Sequence, residues 1–257
     1  MNRTLLKMAW RNLLQGGRRV TIIGIALGLV SGLLVLMLSL SQGMQKNLVD
    51  AATTLAAGHV NVAGFYKTSP NTFGAPVING ARKLRGVLEN AHPEMVSVVD
   101  RHRGWAKLIS STEGIWAGLY GVDVQRETHL AKRLIKQNNS VGDDLNALEQ
   151  PNSIALFASQ AERLNVTVGD QVTLRTQTLR GINNTMDVTV VAIFKNIGIL
   201  SNWSAFISQS TLTKLFQLGR DSTGSFMIYL KDIERAETVM AVLREKLQSE
   251  GYELMEH

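Results

Sequence analysis

A chain of 257 residues with 45% hydrophobic and 19% charged side chains is long enough to bury a full core, while its mean hydropathy of +0.03 is too low for a polytopic membrane protein. The absence of cysteine excludes a disulfide framework and a thiolate metal site. The net charge of +6 is banked at the start, where Arg3, Lys7, Arg11, Arg18 and Arg19 precede any acid, and the rest of the chain is nearly neutral. That asymmetry marks a membrane flank and argues for no nucleic acid partner, because a nucleic-acid-binding face spreads its cations over the folded domain.

In residues 3–15 (RTLLKMAWRNLLQ), Leu6, Trp10, Leu13 and Leu14 fall at helical spacing, with Lys7 and Arg11 on another side. The spacing predicts an amphipathic interfacial helix within a cytoplasmic segment over residues 1–19. Arg3, Lys7, Trp10, Arg11, Arg18 and Arg19 then form either a plain basic flank or a contact for a cytoplasmic partner.

Residues 20–40 (VTIIGIALGLVSGLLVLMLSL) carry no charge. As a helix they would span roughly 31 Å, close to the hydrocarbon core of a bilayer. Their Leu, Ile and Val side chains contribute on the order of −4 to −8 kcal/mol to insertion. The whole turn is apolar, unlike a core helix of a soluble protein, so a transmembrane helix is expected. A cleaved signal peptide would give the same orientation but lose the anchor. With Arg18 and Arg19 against one end only, the N-terminus is expected in the cytoplasm and the bulk of the chain outside it. Gly24, Gly28 and Gly32 recur every four residues on one face, a spacing that suits helix packing.

Beyond the span, residues 41–57 can continue the helix as a stalk until Gly58 breaks it. Residues 59–62 (HVNV) alternate like a strand, and residues 65–80 read as a loop. A helix is expected over 81–91 and strands over 95–99, 106–110 and 115–120. Residues 123–137 have helical character and 138–151 are polar and loose. A short helix over 159–164, a Gly169-Asp170 turn and a strand over 171–175 follow. Residues 176–186 read as a connection to a partner strand over 187–194. A strand over 226–230 and a helix over 233–249 close the chain, with Ala236, Val239, Met240, Leu243 and Leu247 on the helix's apolar face. Strands and helices mix without a βαβ rhythm, so the fold class is α+β.

No P-loop, G-x-S-x-G, H-E-x-x-H or G-x-G-x-x-G motif occurs, and His59, His92, His102, His129 and His257 lack ligand spacing. No catalytic residue, cofactor or metal is therefore assigned, and the chain is not read as an enzyme. Residues 197–206 (IGILSNWSAF) form an apolar stretch broken by Gly198, Asn202 and two serines. Ile199, Leu200, Trp203 and Phe206 are candidate contacts for a periplasmic protein partner, or else core between lobes.

Several segments in order resemble the MacB/FtsX-like ABC transporter permease superfamily, in particular its lipoprotein-releasing LolC/LolE branch. They are AWRNLLQGGRR with TIIGIALG, SQGMQKNL with GHVNV, IALFASQAERLNVTVGDQVTL, and VVAIF followed by SAFIS ahead of an apolar helix. The resemblance implies a stalk carrying a periplasmic core domain over residues 58–257. That domain would have a porter-like α+β lobe and an inserted β-rich lobe over roughly 118–204. It also implies a cytoplasmic ABC ATPase as a separate subunit, and a second permease copy or homologue. Mechanical transmission would run through the bilayer of the bacterial inner membrane to a lipoprotein, lipid or other cargo. Family permeases carry three further spans after this domain, so the chain reads as the N-terminal part of a permease or as a single-span member. The segment over 176–186 is shorter than the hairpin of the permease that recruits a lipoprotein chaperone. The alternative function is a single-span, membrane-anchored periplasmic binding or regulatory module.

Overall fold

The computed structural model describes Met8, Arg11, Leu130, Ala131, Leu134 and residues 16–64, 77–127 and 145–254. The chain divides into two units, residues 1–49 and 50–257. The first is dominated by one helix, α1, Gly17–Ala52, which is apolar around its full circumference from Val20 to Leu40. Its side chains, Ile22, Leu29, Leu33, Leu36 and Leu40 among them, stand exposed with no protein over them. Such a surface is stable only when lipid or another helix covers it, which fits a membrane-anchored protein.

In the second unit the helix ends in a widened π-helical turn, Thr53–Ala57, closed by Gly58. Gly58 is held at φ 68°, and a Cβ there would lie 3.1 Å from the Ile228 nitrogen, so both backbone conformation and close approach require glycine. Strand β1, Val60–Ala63, then pairs antiparallel with β10, Ser225–Leu230, which pairs antiparallel with the first half of β3, Met95–Ile109. Helices α2, Ala81–Glu89, and α5, Ala236–Ser249, pack on one face of these strands. Leu84, Leu88, Val239, Leu243 and Leu247 meet Phe226, Ile228 and Leu230 there. Alternation along β10 sends Met227 and Tyr229 to the other face. A two-residue pair, β2 (Ile78–Asn79) with β9 (Ser222–Thr223), lies beside this layer.

The second half of β3 belongs to a different body. It pairs with β4, Gly114–Val122, which runs parallel to β8, Ser204–Ser208. Strand β8 pairs with β5, Ser153–Phe157, then β5 with β7, Asn183–Phe194, and β7 with β6, Gln171–Gln177. Strand β6 returns to β3 through Lys107–Arg175, Leu108–Leu174 and Ile109–Thr173, and the six strands close into a barrel. Closure removes the free edges that an open sheet would expose. Ala106, Leu108, Leu119, Ile154, Leu156, Val172, Val190 and Ile207 fill the interior, plugged by α3, Ala158–Leu164, and α4, Gln209–Phe216. The barrel takes in all of β4 and β8 together with the second half of β3.

The mixed α+β class stands, with one apolar N-terminal helix and a β-rich domain. Several boundaries differ from the sequence reading. The two strands expected over 95–99 and 106–110 are one strand, Met95–Ile109, serving both bodies. The connection over 176–186 is a hairpin whose turn, tied by Thr178 and Ile182, is only a few residues long. Within the polar stretch over 138–151, Leu145–Glu149 forms a 3-10 helix because Leu145 and Leu148 bury themselves. On α5, Val239, Leu243 and Leu247 face the core, whereas Met240 is exposed.

Two predictions follow from the packing of β3. A Cβ at Gly104 would stand 2.3 Å from the Phe216 ring, so Gly104→Ala should displace that plug and cost about 1–3 kcal/mol in urea unfolding, with partial recovery in the Gly104→Ala/Phe216→Leu pair. His102 faces inward with Nε2 3.5 Å from the Ser222 hydroxyl, and burial pushes its pKa down to about 4. Below the ordinary value of 6.5 the unfolded chain takes up a proton that the folded chain refuses until near 4. Stability should therefore be flat above that window and fall by about 3 kcal/mol on acidification through it, a slope that His102→Gln removes.

Candidate functional site at the end of the stalk

A helix end presents carbonyl groups that no later turn can satisfy. Here they meet the side chain of Arg101, which β3 carries on its outer face and which is 1% exposed. Arg101 Nη1 donates to the carbonyls of Thr54 at 3.2 Å and Leu55 at 2.9 Å. Its Nε and Nη2 donate to the two carboxylate oxygens of Glu127, the second at 2.6 Å. The guanidinium lies over the Phe206 ring, 6.0 Å from its centroid. From β10, the Tyr229 hydroxyl donates to the Thr53 carbonyl at 3.4 Å, and His59 packs edge-on against the Tyr229 ring.

Apolar packing surrounds this polar knot. Leu55 is fully buried with Val122, Leu130, Leu145, Leu148, Phe157, Phe194 and Phe206. Gly198, at φ 59°, lies against Ala51, a Cβ there falling 3.4 Å from the alanine methyl. The last turns of the stalk are thus held by side chains from β3, β10 and the loop before β8.

The electrostatics are consistent with a permanent ion pair. Burial alone disfavours the Arg101 cation, but the Glu127 carboxylate beside it outweighs that and raises its pKa. A cation is also favoured at the negative end of a helix. The arrangement is suited to bearing load. Displacing the stalk end must either carry β3 and β10 with it or separate buried charges in a medium where they are poorly solvated.

The residues expected from sequence fall in several places. Arg3, Lys7 and Trp10 lie outside the described residues, as do residues 65–76 of the expected loop. Arg11 is helical and exposed, and Arg18 and Arg19 stand exposed in the first turn of α1. Gly24, Gly28 and Gly32 line one side of α1, with open space where a Cβ would be. Of the candidate partner contacts, Ile199 and Trp203 are exposed and Leu200 packs against the core. Phe206 requires a correction. It is fully buried among Phe157, Tyr120 and the Arg101 guanidinium, so it supports the stalk joint and has no surface to offer a partner. Among the described residues no group of His, Asp and Glu could hold a metal ion. Sequence reasoning passed over Arg101 and Glu127. Arg101 left a trace, a cation within an otherwise apolar alternation, but Glu127 left none.

A family model for the MacB-like periplasmic core domain matches residues 20–246. The chain belongs to that family. It is a family of ABC transporter permease components, and the match covers α1, the stalk joint and both bodies of the second unit. Among solved structures, the extracellular domain of the noncanonic ABC-type transporter YknZ from Gram-positive bacteria is 14% identical at a TM-score of 0.48, covering 75% of this chain and 96% of that one. The periplasmic region of MacB from Actinobacillus actinomycetemcomitans is 15% identical at 0.46, covering 79% and 88%. A domain of a putative permease protein from Porphyromonas gingivalis is 12% identical at 0.42, covering 74% and 78%. No curated protein matches.

In this MacB-like domain Arg101→Met should strand the buried Glu127 carboxylate and cost about 3–5 kcal/mol. Replacing both partners, Arg101→Met with Glu127→Leu, should cost clearly less than the single change, although the Thr54 and Leu55 carbonyls lose their donor. Urea unfolding of the full chain in detergent, followed by tryptophan fluorescence, checks the order.

Proposed function

We propose that this chain acts in a permease subunit that couples ATP hydrolysis in the cytoplasm to work by a periplasmic domain. The observation that carries the reading is the membership of the MacB-like family together with a helix that ends clamped under β3 and β10. In this reading a separate ABC ATPase subunit binds near the basic N-terminal segment, where Arg3, Lys7, Trp10, Arg11, Arg18 and Arg19 gather. The face bearing Gly24, Gly28 and Gly32 packs against a second permease copy or homologue. The N-terminus lies in the cytoplasm, the span crosses the inner membrane, and the domain from residue 58 lies in the periplasm.

Motion of α1 is then delivered through the Arg101 joint into the strand that is shared by the sheet and the barrel. Continuity of β3 supports transmission to the barrel, because a paired strand moves as one body with its ladder partners. The ordered segments that resemble the LolC/LolE branch favour a lipoprotein or another lipid-bearing molecule as cargo. The barrel is our reading of the inserted lobe.

Affinity purification of the complete gene product from membranes should recover an ABC ATPase. The reading fails if no ATPase accompanies it at any nucleotide state. In the recovered complex, Arg101→Met with Glu127→Leu should leave basal ATP hydrolysis within about twofold of the parent while transport falls by about tenfold or more, since a joint transmits motion without touching nucleotide.

A further inference from the structure

Strand β3 changes partners within a single residue step. Asp100 and Arg101 pair with Phe226 and Ser225 of the sheet, and His102 pairs with Gly121 of the barrel. Alternation turns Arg101 toward the stalk carbonyls and Asp100 to the opposite face. The Asp100 side chain is 17% exposed and meets groups from both bodies. From the sheet side, Arg85 on α2 donates Nη2–H to Oδ1. From the barrel side, Gln209, the first residue of α4, donates Nε2–H to Oδ2 at 3.3 Å. Arg126, just past β4, stands with Nη1 4.0 Å from Oδ1.

Both donors are themselves held in place. Arg85 Nη1 also donates to the Val98 carbonyl at 3.2 Å and the Glu89 carboxylate at 3.3 Å. Its guanidinium lies over the Phe226 ring, 5.5 Å from the centroid. The first turn of α2 is tied to the segment that follows α4. There the N–H groups of Gly80 and Ala81 donate to the Asp221 carbonyl at 2.9 and 3.2 Å, and that of Arg82 donates to Asp221 Oδ1 at 3.0 Å. Gln209 is positioned by a glycine. A Cβ at Gly121 would lie 3.3 Å from the Gln209 Cα, so α4 begins directly over β4. The Gln209 amide presents its nitrogen to Asp100, as it must, because an ionised carboxylate accepts and does not donate. Its Oε1 has no partner among the described residues, which leaves Asp100 as the group that orients the amide.

We infer that Asp100 is a positioning residue, a pin that fixes the angle between the sheet and the barrel where β3 passes from one to the other. An ion pair confined to the sheet would stiffen α2 alone. The second carboxylate oxygen makes the difference, because it reaches the plug helix of the barrel. Charge-assisted hydrogen bonds are stronger and more directional than neutral ones, so one carboxylate held from two sides resists rotation as well as separation. A hinge needs only a few residues that absorb a backbone change, and the step from Arg101 to His102 is where such a change would let one body turn against the other. The inference rests on the proposed role for its purpose: stalk motion entering at Arg101 reaches the barrel undiminished only if the next step of β3 does not bend. The pin itself is a property of this chain and does not depend on what powers it.

The chain has no cysteine, so a pair can be introduced for spin labels. Gln171→Cys on β6 and Glu245→Cys on α5 are exposed positions, one on each body. Double electron–electron resonance on the full chain in detergent reads the distance between them. Gln209→Met keeps the side-chain length and the Arg85–Asp100 pair and removes the donor to Oδ2. It should broaden the distance distribution by about twofold, because the bodies then turn about β3. Its thermal midpoint should fall by no more than about 4 °C. Asp100→Ala should broaden the distribution at least as much, and adding Gln209→Met to Asp100→Ala should broaden it no further, since the bond is already gone. An unchanged distribution in Gln209→Met, additive broadening in the double variant, or broadening that comes with a larger fall of the midpoint would each overturn the inference. If Asp100→Ala fails to fold, Gln209→Met decides alone. A rigid Gln209→Met protein would sink the pin and leave ATPase recovery untouched, whereas failure to recover an ATPase would sink the permease reading and leave these distances as expected.

Discussion

The stalk helix has to end somewhere, and the cost of that ending organises the domain. The Thr54 and Leu55 carbonyls would lose their side-chain donor if Arg101 did not reach them, and Arg101 could not be buried as a cation without Glu127. One guanidinium thus satisfies a helix terminus and a carboxylate at once, over the Phe206 ring. Leu55, packed among Phe157, Phe194 and Phe206, supplies the apolar half of the same attachment. A purely apolar contact could slide. A forked, fully buried pair fixes direction as well as position, since its energy collapses when the planes of donor and acceptor separate.

Strand β3 gives that attachment its reach. Its outer face carries Arg101 at the joint, then Arg103, Trp105 and Lys107 along the barrel, while its inner face carries His102 and Gly104 into two different packing environments. The first half of the strand completes a sheet backed by α2 and α5, and the second half closes a six-stranded barrel. Few single elements touch as much of the domain. Trp105 and Trp116 stand exposed on this strand and on β4 beside it.

Membership of the MacB-like family and the physical reading of the structure meet at this point. In the proposed role a permease component passes motion outward without a catalytic side chain of its own. What such a role asks of a chain is a stiff helix, a joint that does not yield and a rigid body beyond it. Each of these has a counterpart in named residues: the uninterrupted α1, the Arg101–Glu127 pair, and the closed barrel with its plug of Leu212, Leu215 and Phe216.

The sequence alone determined what depends on local chemistry. An uncharged apolar run beside Arg18 and Arg19 specifies a span, Gly58 specifies the end of the stalk, and alternation specifies most strands, because these signals lie within a few residues of one another. Only the tertiary structure decided what depends on distant partners. Arg101 and Glu127 are separated by a strand, a hairpin and a turn, and the carbonyls they serve come from far earlier in the chain. Phe206 illustrates the difference: an aromatic near serines and asparagine reads as surface until the joint is seen to need its ring as a floor. Barrel closure through β3 and β6 likewise arises from strand order, which periodicity does not encode.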